Sequence, residues 1–157
     1  MFEIGDKVFV KNFGGGVITN IQEKNVNGIR KRYYEIKLVI DNICIYLPVD
    51  EKNKIRGVIE RAKLEDCLRI LKEFKGDLPN KCIDRYKLYK STLEKSDPID
   101  MAKLIKCMDM NFKRKKPSNF DKNNFEKILN TFCSEICLVL QRDFKETKKF
   151  ILENLKT

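Results

Sequence analysis

Two hydrophobic periods divide this chain, and the change between them near Pro48 limits the folds open to it. Before Pro48, apolar and polar residues alternate in short β-branched and aromatic runs at 7–10, 17–24, 32–39 and 43–47, the two-residue period of half-buried strands. From Lys63 onward apolar residues recur at steps of three and four, first at Leu64, Cys67, Leu68, Ile70 and Leu71 with Phe74 behind them. The expectation is an α+β chain in which a small antiparallel sheet precedes an all-helical part.

The turns refine the sheet. Asn27-Gly28 is the pair that favours a two-residue hairpin, and Asp41-Asn42 is short enough to make another. Four short strands joined by hairpins cannot lie flat and still close a core, so a curled SH3/Tudor-like small β-barrel follows. Three of the seven glycines stand together at Gly14-Gly15-Gly16. Such a run permits a tight turn, a bulge, a close backbone approach or a phosphate cradle. A phosphate loop needs a helix start or a Gly-Lys-Ser/Thr ending next, and Val17-Ile18-Thr19 supplies neither. The predicted role is a sharp bend between two strands.

Beyond the sheet, Gly76-Asp77-Leu78-Pro79-Asn80 opposes helix continuation and is read as the domain boundary. The resulting division is a barrel at 1–62, a helix and linker at 63–80, and a helical domain at 81–157. Within the last, one helix is expected over about 81–95. Asp97 then caps a second with Pro98 in its first turn, ending near Phe112. After Pro117, Ser118 or Asn119 can cap a third over about 120–141, whose apolar side carries Phe125, Ile128, Leu129, Phe132, Cys133, Ile136 and Leu140. A last helix takes 144–155.

Lys and Arg number 33 against 23 Asp and Glu, a net charge of +10 that favours polyanionic partners. The sharpest cluster is Lys113-Arg114-Lys115-Lys116. Histidine is absent, as are nucleophile motifs and phosphate loops, so an enzyme is not expected and no cofactor is implied. The six cysteines contain no CxxC pair, which speaks against a metal site and for buried reduced thiols. No apolar run reaches the roughly 18 residues of a membrane span and no leader pattern opens the chain, so a cytoplasmic monomer without membrane contact is expected.

What remains is binding. The edges of a small barrel can accept a partner strand, with Lys24, Val26 and Tyr46 as candidates. The first helix of the last domain mixes Arg85, Tyr86, Lys87, Tyr89 and Lys90, a composition suited to phosphates and exposed bases. The same composition also fits a solvated face with its tyrosines in the core.

IGDKVFVKNFGGGVI, the hairpin IQEKNVNGIRKRYYEIKL and the strand ending YLPVD resemble the RNA-polymerase-interacting domain shared by CarD/CdnL-type regulators and transcription-repair coupling factors. DRYKLYKSTLEKSDPIDMAKLI resembles the helical half of CarD/CdnL. The likeness covers about residues 1–142 in the family's order. It implies a bacterial transcription regulator whose barrel pairs with the lobe or protrusion of the RNA polymerase β subunit. The helical domain would then reach promoter DNA at the upstream edge of the transcription bubble and modulate open-complex stability. By position, the polymerase contacts fall on Lys24, Val26 and Tyr46. The DNA contacts fall on Cys82, Asp84, Arg85, Lys87, Lys113, Arg114 and Lys122. Family members often place a tryptophan wedge four residues before the helix tyrosine; here Cys82 stands there before Tyr86, and the chain has no Trp. The rival expectations are an adaptor that keeps the polymerase contact without productive DNA binding, and an RNA- or ribosome-associated factor.

Overall fold

The computed structural model describes residues 1–156, in which a five-stranded antiparallel sheet precedes five α-helices. The strands are β1 (Lys7–Val10), β2 (Gly14–Val26), β3 (Ile29–Leu38), β4 (Cys44–Pro48) and β5 (Ile55–Gly57), in the order β4-β3-β2-β1-β5. The α+β expectation holds. β5 is an addition: three residues are too few to show a period, and pairing with β1 at Val8↔Gly57, Phe9↔Arg56 and Val10↔Ile55 recruits them. Asn27 and Gly28 both take positive φ, as the two-residue hairpin turn requires. The sheet curls around Val8, Val10, Ile18, Tyr34, Ile36, Leu38, Leu47 and Ile55, and a bulge between Ile18 and Asn20 bends β2. β4 covers β3 only from Tyr33 to Lys37. The far end of the β2–β3 hairpin therefore stands clear as a two-stranded ribbon.

The helices are α1 (Arg61–Glu73), α2 (Cys82–Lys95), α3 (Pro98–Arg114), α4 (Asn119–Leu140) and α5 (Phe144–Leu155). Asp97 caps α3 through Ile99 N–H with Pro98 in the first turn, and Ser118 caps α4 through Asp121 N–H. Leu64, Cys67 and Leu71 of α1, with Leu78 beyond it, share one core with α2 to α5. The Gly76–Asn80 break is thus a turn within the helical half, and the boundary read there moves to the short link before α1. The reason is tertiary: Gly and Pro stop a helix, but only packing decides which core the stopped helix joins.

The glycine run also departs from the expected bend. The bend itself lies at 11–13, where Asn12 takes positive φ. Gly14, Gly15 and Gly16 are strand residues, paired with Val10, Phe9 and Val8. A Cβ at Gly14 would lie 2.5 Å from Ser134 Oγ, and one at Gly15 would collide with the Ser134 carbonyl of α4. Their bareness lets a helix lie directly on the sheet. Gly15 N–H donates to Ser134 Oγ at 2.8 Å.

α4 is accordingly buried on two sides. Ile128, Leu129, Phe132, Cys133 and Ile136 enter the helical core, whereas Ser134 and Glu135 turn to the barrel. Glu135 accepts from Arg56 Nη1 at 2.5 Å and Nη2 at 2.9 Å, and from Ile59 N–H at 2.9 Å. Phe9, on the strand between the two, leaves the barrel core and inserts among the helices. Each half has its own core, and β1 serves both.

Candidate protein-docking and nucleic-acid surfaces

Of the ten large apolar residues left exposed among the described residues, six fall into two groups. Val26, Ile29 and Tyr46 lie on the barrel; Ile83, Tyr86 and Phe120 lie at the N-terminal ends of α2 and α4. Exposed apolar groups gathered beside charge mark interaction surfaces more strongly than isolated ones.

On the barrel, strand alternation brings the three sequence-predicted residues to one outer face. Lys24 opposes Lys31, Val26 opposes Ile29 and Tyr46 opposes Glu35. The Lys24 ammonium sits 3.5 Å from the centre of the Tyr46 ring, a cation–π contact that orders two otherwise mobile side chains. The Tyr46 hydroxyl donates to Glu35 Oε1 at 3.0 Å, and Thr19 Oγ1 donates to Glu35 Oε2 at 2.8 Å. The hydrogen bond to Glu35, reinforced by its charge, holds the Tyr46 phenol above its ordinary pKa. β4 pairs only with β3, so its other edge is free beside this face. Ile29 and Lys31 belong to the face and were missed by the sequence reading, although the hairpin register fixed by Asn27-Gly28 already opposes them to Val26 and Lys24.

The helical site is built around Asp121, which is buried in the first turn of α4. It accepts from Arg85 Nε at 3.2 Å and Nη2 at 3.3 Å, from the Tyr89 hydroxyl at 2.8 Å and from Ser118 Oγ at 2.8 Å. Burial by itself pushes the Asp121 carboxyl up, but the hydrogen bonds from Arg85, Tyr89 and Ser118 outweigh it and hold the group below the usual carboxylate range. Burial first, then the bond to Asp121, pushes the Tyr89 phenol well above its ordinary value.

This network engages two residues of the cation–tyrosine mixture on α2. The guanidinium of Arg85, a candidate DNA contact, also donates to the Pro79 and Asn80 carbonyls at 3.2 and 2.7 Å, which leaves one of its five N–H groups uncommitted. These bonds tie α2 to α4 and to the preceding turn. Tyr89 is fully buried and presents no face to a base.

The other predicted residues are outside. Cys82 is exposed as the first residue of α2, and Asp84, Lys87 and Lys122 are exposed as well. Lys113 is exposed but paired with Asp109 at 3.0 Å, and Arg114 reaches Asp77 only at 3.5 Å. Lys115 and Lys116 border a cavity of about 230 Å³ whose inner wall is Arg85 and Asp121. Tyr86 and Phe120 pack with ring centroids 5.8 Å apart, and each stays more than a third exposed. Phe120 is the residue that sequence reading missed. Its signal is its row: one turn and two turns on come Asn123, Asn124 and Lys127, so this aromatic opens the polar side of α4.

Four of the six thiols are buried, at Cys67, Cys107, Cys133 and Cys137, whereas Cys44 and Cys82 are exposed. Among the described residues no group of three or more His, Cys, Asp or Glu is placed to hold a metal ion, and no helix is long and apolar enough to cross a membrane.

Comparison with known proteins accounts for the two halves in order. Residues 2–59 match the CarD-like/TRCF RID domain, and residues 66–152 match the CarD C-terminal domain. A Bacillus subtilis (strain 168) protein named as a candidate transcription factor, YdeB, is 26% identical over 155 residues, which cover 96% of this chain and 99% of that protein.

Proposed function

The chain belongs to the CarD family, and from that premise we propose that it regulates transcription by holding RNA polymerase and promoter DNA together. The barrel docks on the β subunit, at its lobe or protrusion, through the face that carries Lys24, Val26 and Tyr46. The observation that carries this reading is their convergence: three residues from two strands meet on one exposed face beside a free strand edge. Strand pairing would supply affinity, and the ordered Lys24–Tyr46 pair would supply side-chain specificity.

The helical tip is the nucleic-acid side. Lys87, Lys115, Lys116 and Lys122 supply phosphate contacts, and Tyr86 with Phe120 offers ring faces to bases exposed at the edge of a melted region. Cys82 adds no comparable area, so the aromatic pair stands in for a single indole. We read a binding protein and not an enzyme: the chain lacks histidine, and the two buried carboxylates among the described residues are both committed, Asp121 to Arg85, Tyr89 and Ser118 and Glu135 to Arg56 and Ile59 N–H. Its place of action is then the cytoplasm, with polymerase.

The test is a calorimetric titration of a β-lobe fragment of bacterial RNA polymerase with the full chain. Lys24→Glu combined with Tyr46→Ala should weaken binding at least about tenfold, the order expected when a central aromatic and its charge are lost together, while thermal stability stays near wild type. Unchanged affinity would remove this face from the interface.

A further inference from the structure

We propose that Arg56 and Glu135 are positioning residues that fix the barrel and the helical half as one body, so that polymerase and DNA are engaged as one bivalent event. The rigid geometry stands on the joint itself; the bivalent consequence rests on the function proposed above.

Only residues 58–60 connect β5 to α1. A link that short limits separation but leaves rotation open, and two halves with separate cores would swing unless something crossing between them prevented it. Three things cross. Phe9 of β1 is buried in the helical core, Gly15 N–H is bonded to Ser134, and Arg56 is paired with Glu135. The first resists separation but allows sliding, because apolar contact has no direction.

The Arg56–Glu135 pair has direction. A planar guanidinium bound to both oxygens of a carboxylate has one geometry, and here the fork is held at more points. Arg56 Nη2 also donates to the Ser96 carbonyl at 2.9 Å, in the corner between α2 and α3, and its guanidinium carbon lies 4.4 Å from the Phe9 ring centre. Glu135 is wholly buried and also accepts from Ile59 N–H within the connecting link. One ion pair therefore ties β5, the link, the α2–α3 corner and α4 together. An exposed pair would be replaceable by water; this carboxylate has no such alternative.

The glycines set the distance at which the fork can close. Gly15 does not have positive φ, and the nearest atoms to a Cβ built there belong to Ser134 and Leu138 of α4. A side chain at Gly15 therefore leaves the barrel's own backbone unstrained and obstructs the helical half alone. Gly15, Ser134, Arg56 and Glu135 are together the part of the sequence that specifies the angle between the halves. Two binding surfaces held at one angle present the second to its partner at high effective concentration once the first is bound.

The native thiols allow a direct test, because Cys44 on the barrel and Cys82 at the helical tip are exposed while the other four are buried. Spin labels on these two residues of the full chain should give one narrow distance distribution. Gly15→Leu, and separately Arg56→Ala with Glu135→Ala, should broaden it while the circular dichroism of both variants stays that of a folded protein. A broad distribution in the wild type, or a narrow one in both variants, would overturn the rigid joint.

The second arm compares affinities of unlabelled proteins for a β-lobe fragment, for forked DNA and for a polymerase–promoter open complex. The variants should bind the separate partners within about twofold of wild type and the open complex at least about tenfold more weakly. A merely stabilising pair would leave open-complex affinity unchanged, and that result would overturn the positioning role. Failure of the wild type to bind either separate partner would instead sink the proposed function and with it the bivalent role, the label distances alone then deciding the joint.

Discussion

Asp121→Asn probes the network that holds α2 against α4, and its effect can be worked from the contacts. The substitution keeps the side-chain shape but removes the charge and turns one acceptor into a donor. Arg85 then loses its charged partner, and the amide nitrogen faces the guanidinium in either orientation, beside the Tyr89 hydroxyl in one and the Ser118 hydroxyl in the other, of which only the hydroxyls can accept. Breaking a buried ion pair costs roughly 3–5 kcal/mol. Arg85 retains the Pro79 and Asn80 carbonyls and a side chain 20% exposed, so about 2–3 kcal/mol is the better estimate. For a chain of this size that lowers Tm by roughly 4–12 °C.

Acid supplies the decisive control. The Asp121 carboxyl titrates below its ordinary value of 3.8 in the folded protein. Its stabilisation is therefore complete above that ordinary value and is lost as pH falls through the depressed folded one. Thermal unfolding followed by circular dichroism should show a constant gap between wild type and Asp121→Asn from about pH 8 to pH 5 that narrows toward about pH 3. A gap under about 1 °C at neutral pH would refute the assignment of Asp121 as the centre of the network. A gap that acid leaves unchanged would show that the carboxylate's charge is not what stabilises.

Three further outcomes test the surfaces and the core. An aromatic disulfide reagent at about pH 8 should modify Cys44 and Cys82 quickly and the remaining thiols only on unfolding, since burial pushes Cys67 and Cys133 up to about 12 and Cys137 up to about 11; the unfolded chain loses those protons first, so stability should also fall as pH rises beyond about 9. Lys115→Gln with Lys116→Gln should lower the salt slope of DNA binding by roughly two, and a slope equal to wild type would make these lysines solvated bystanders. Cys82→Trp, one helical turn from Tyr86, should lengthen the life of heparin-resistant open complexes by at least about fivefold, the low end of the 1–3 kcal/mol of one stacked base; no change would mean that Tyr86 and Phe120 already fill the site.

What the sequence shows well is what neighbouring residues decide among themselves. The Asn27-Gly28 turn, the Asp97-Pro98 and Ser118 caps and the helical stripe from Phe125 to Leu140 are each set within a few residues, and each is found where expected. β5 escapes because its strand character exists only through β1. The Arg85–Asp121 pairing escapes for a related reason: a cation among tyrosines looks the same in sequence whether it faces a phosphate or Asp121, which lies 36 positions away.

The joint between the halves marks the limit most sharply, because its signs were visible while their meaning was not. Ser134 and Glu135 interrupt an apolar run in α4, and three glycines open β2, two anomalies that no local period explains. Each is costly on its own terms: glycine weakens a strand, and a buried carboxylate needs a partner. They become favourable only together, when the bare strand admits the helix, Ser134 satisfies Gly15 N–H, and Arg56 meets Glu135. Two local violations that satisfy each other carry information about a long-range contact, since each is costly until the other meets it.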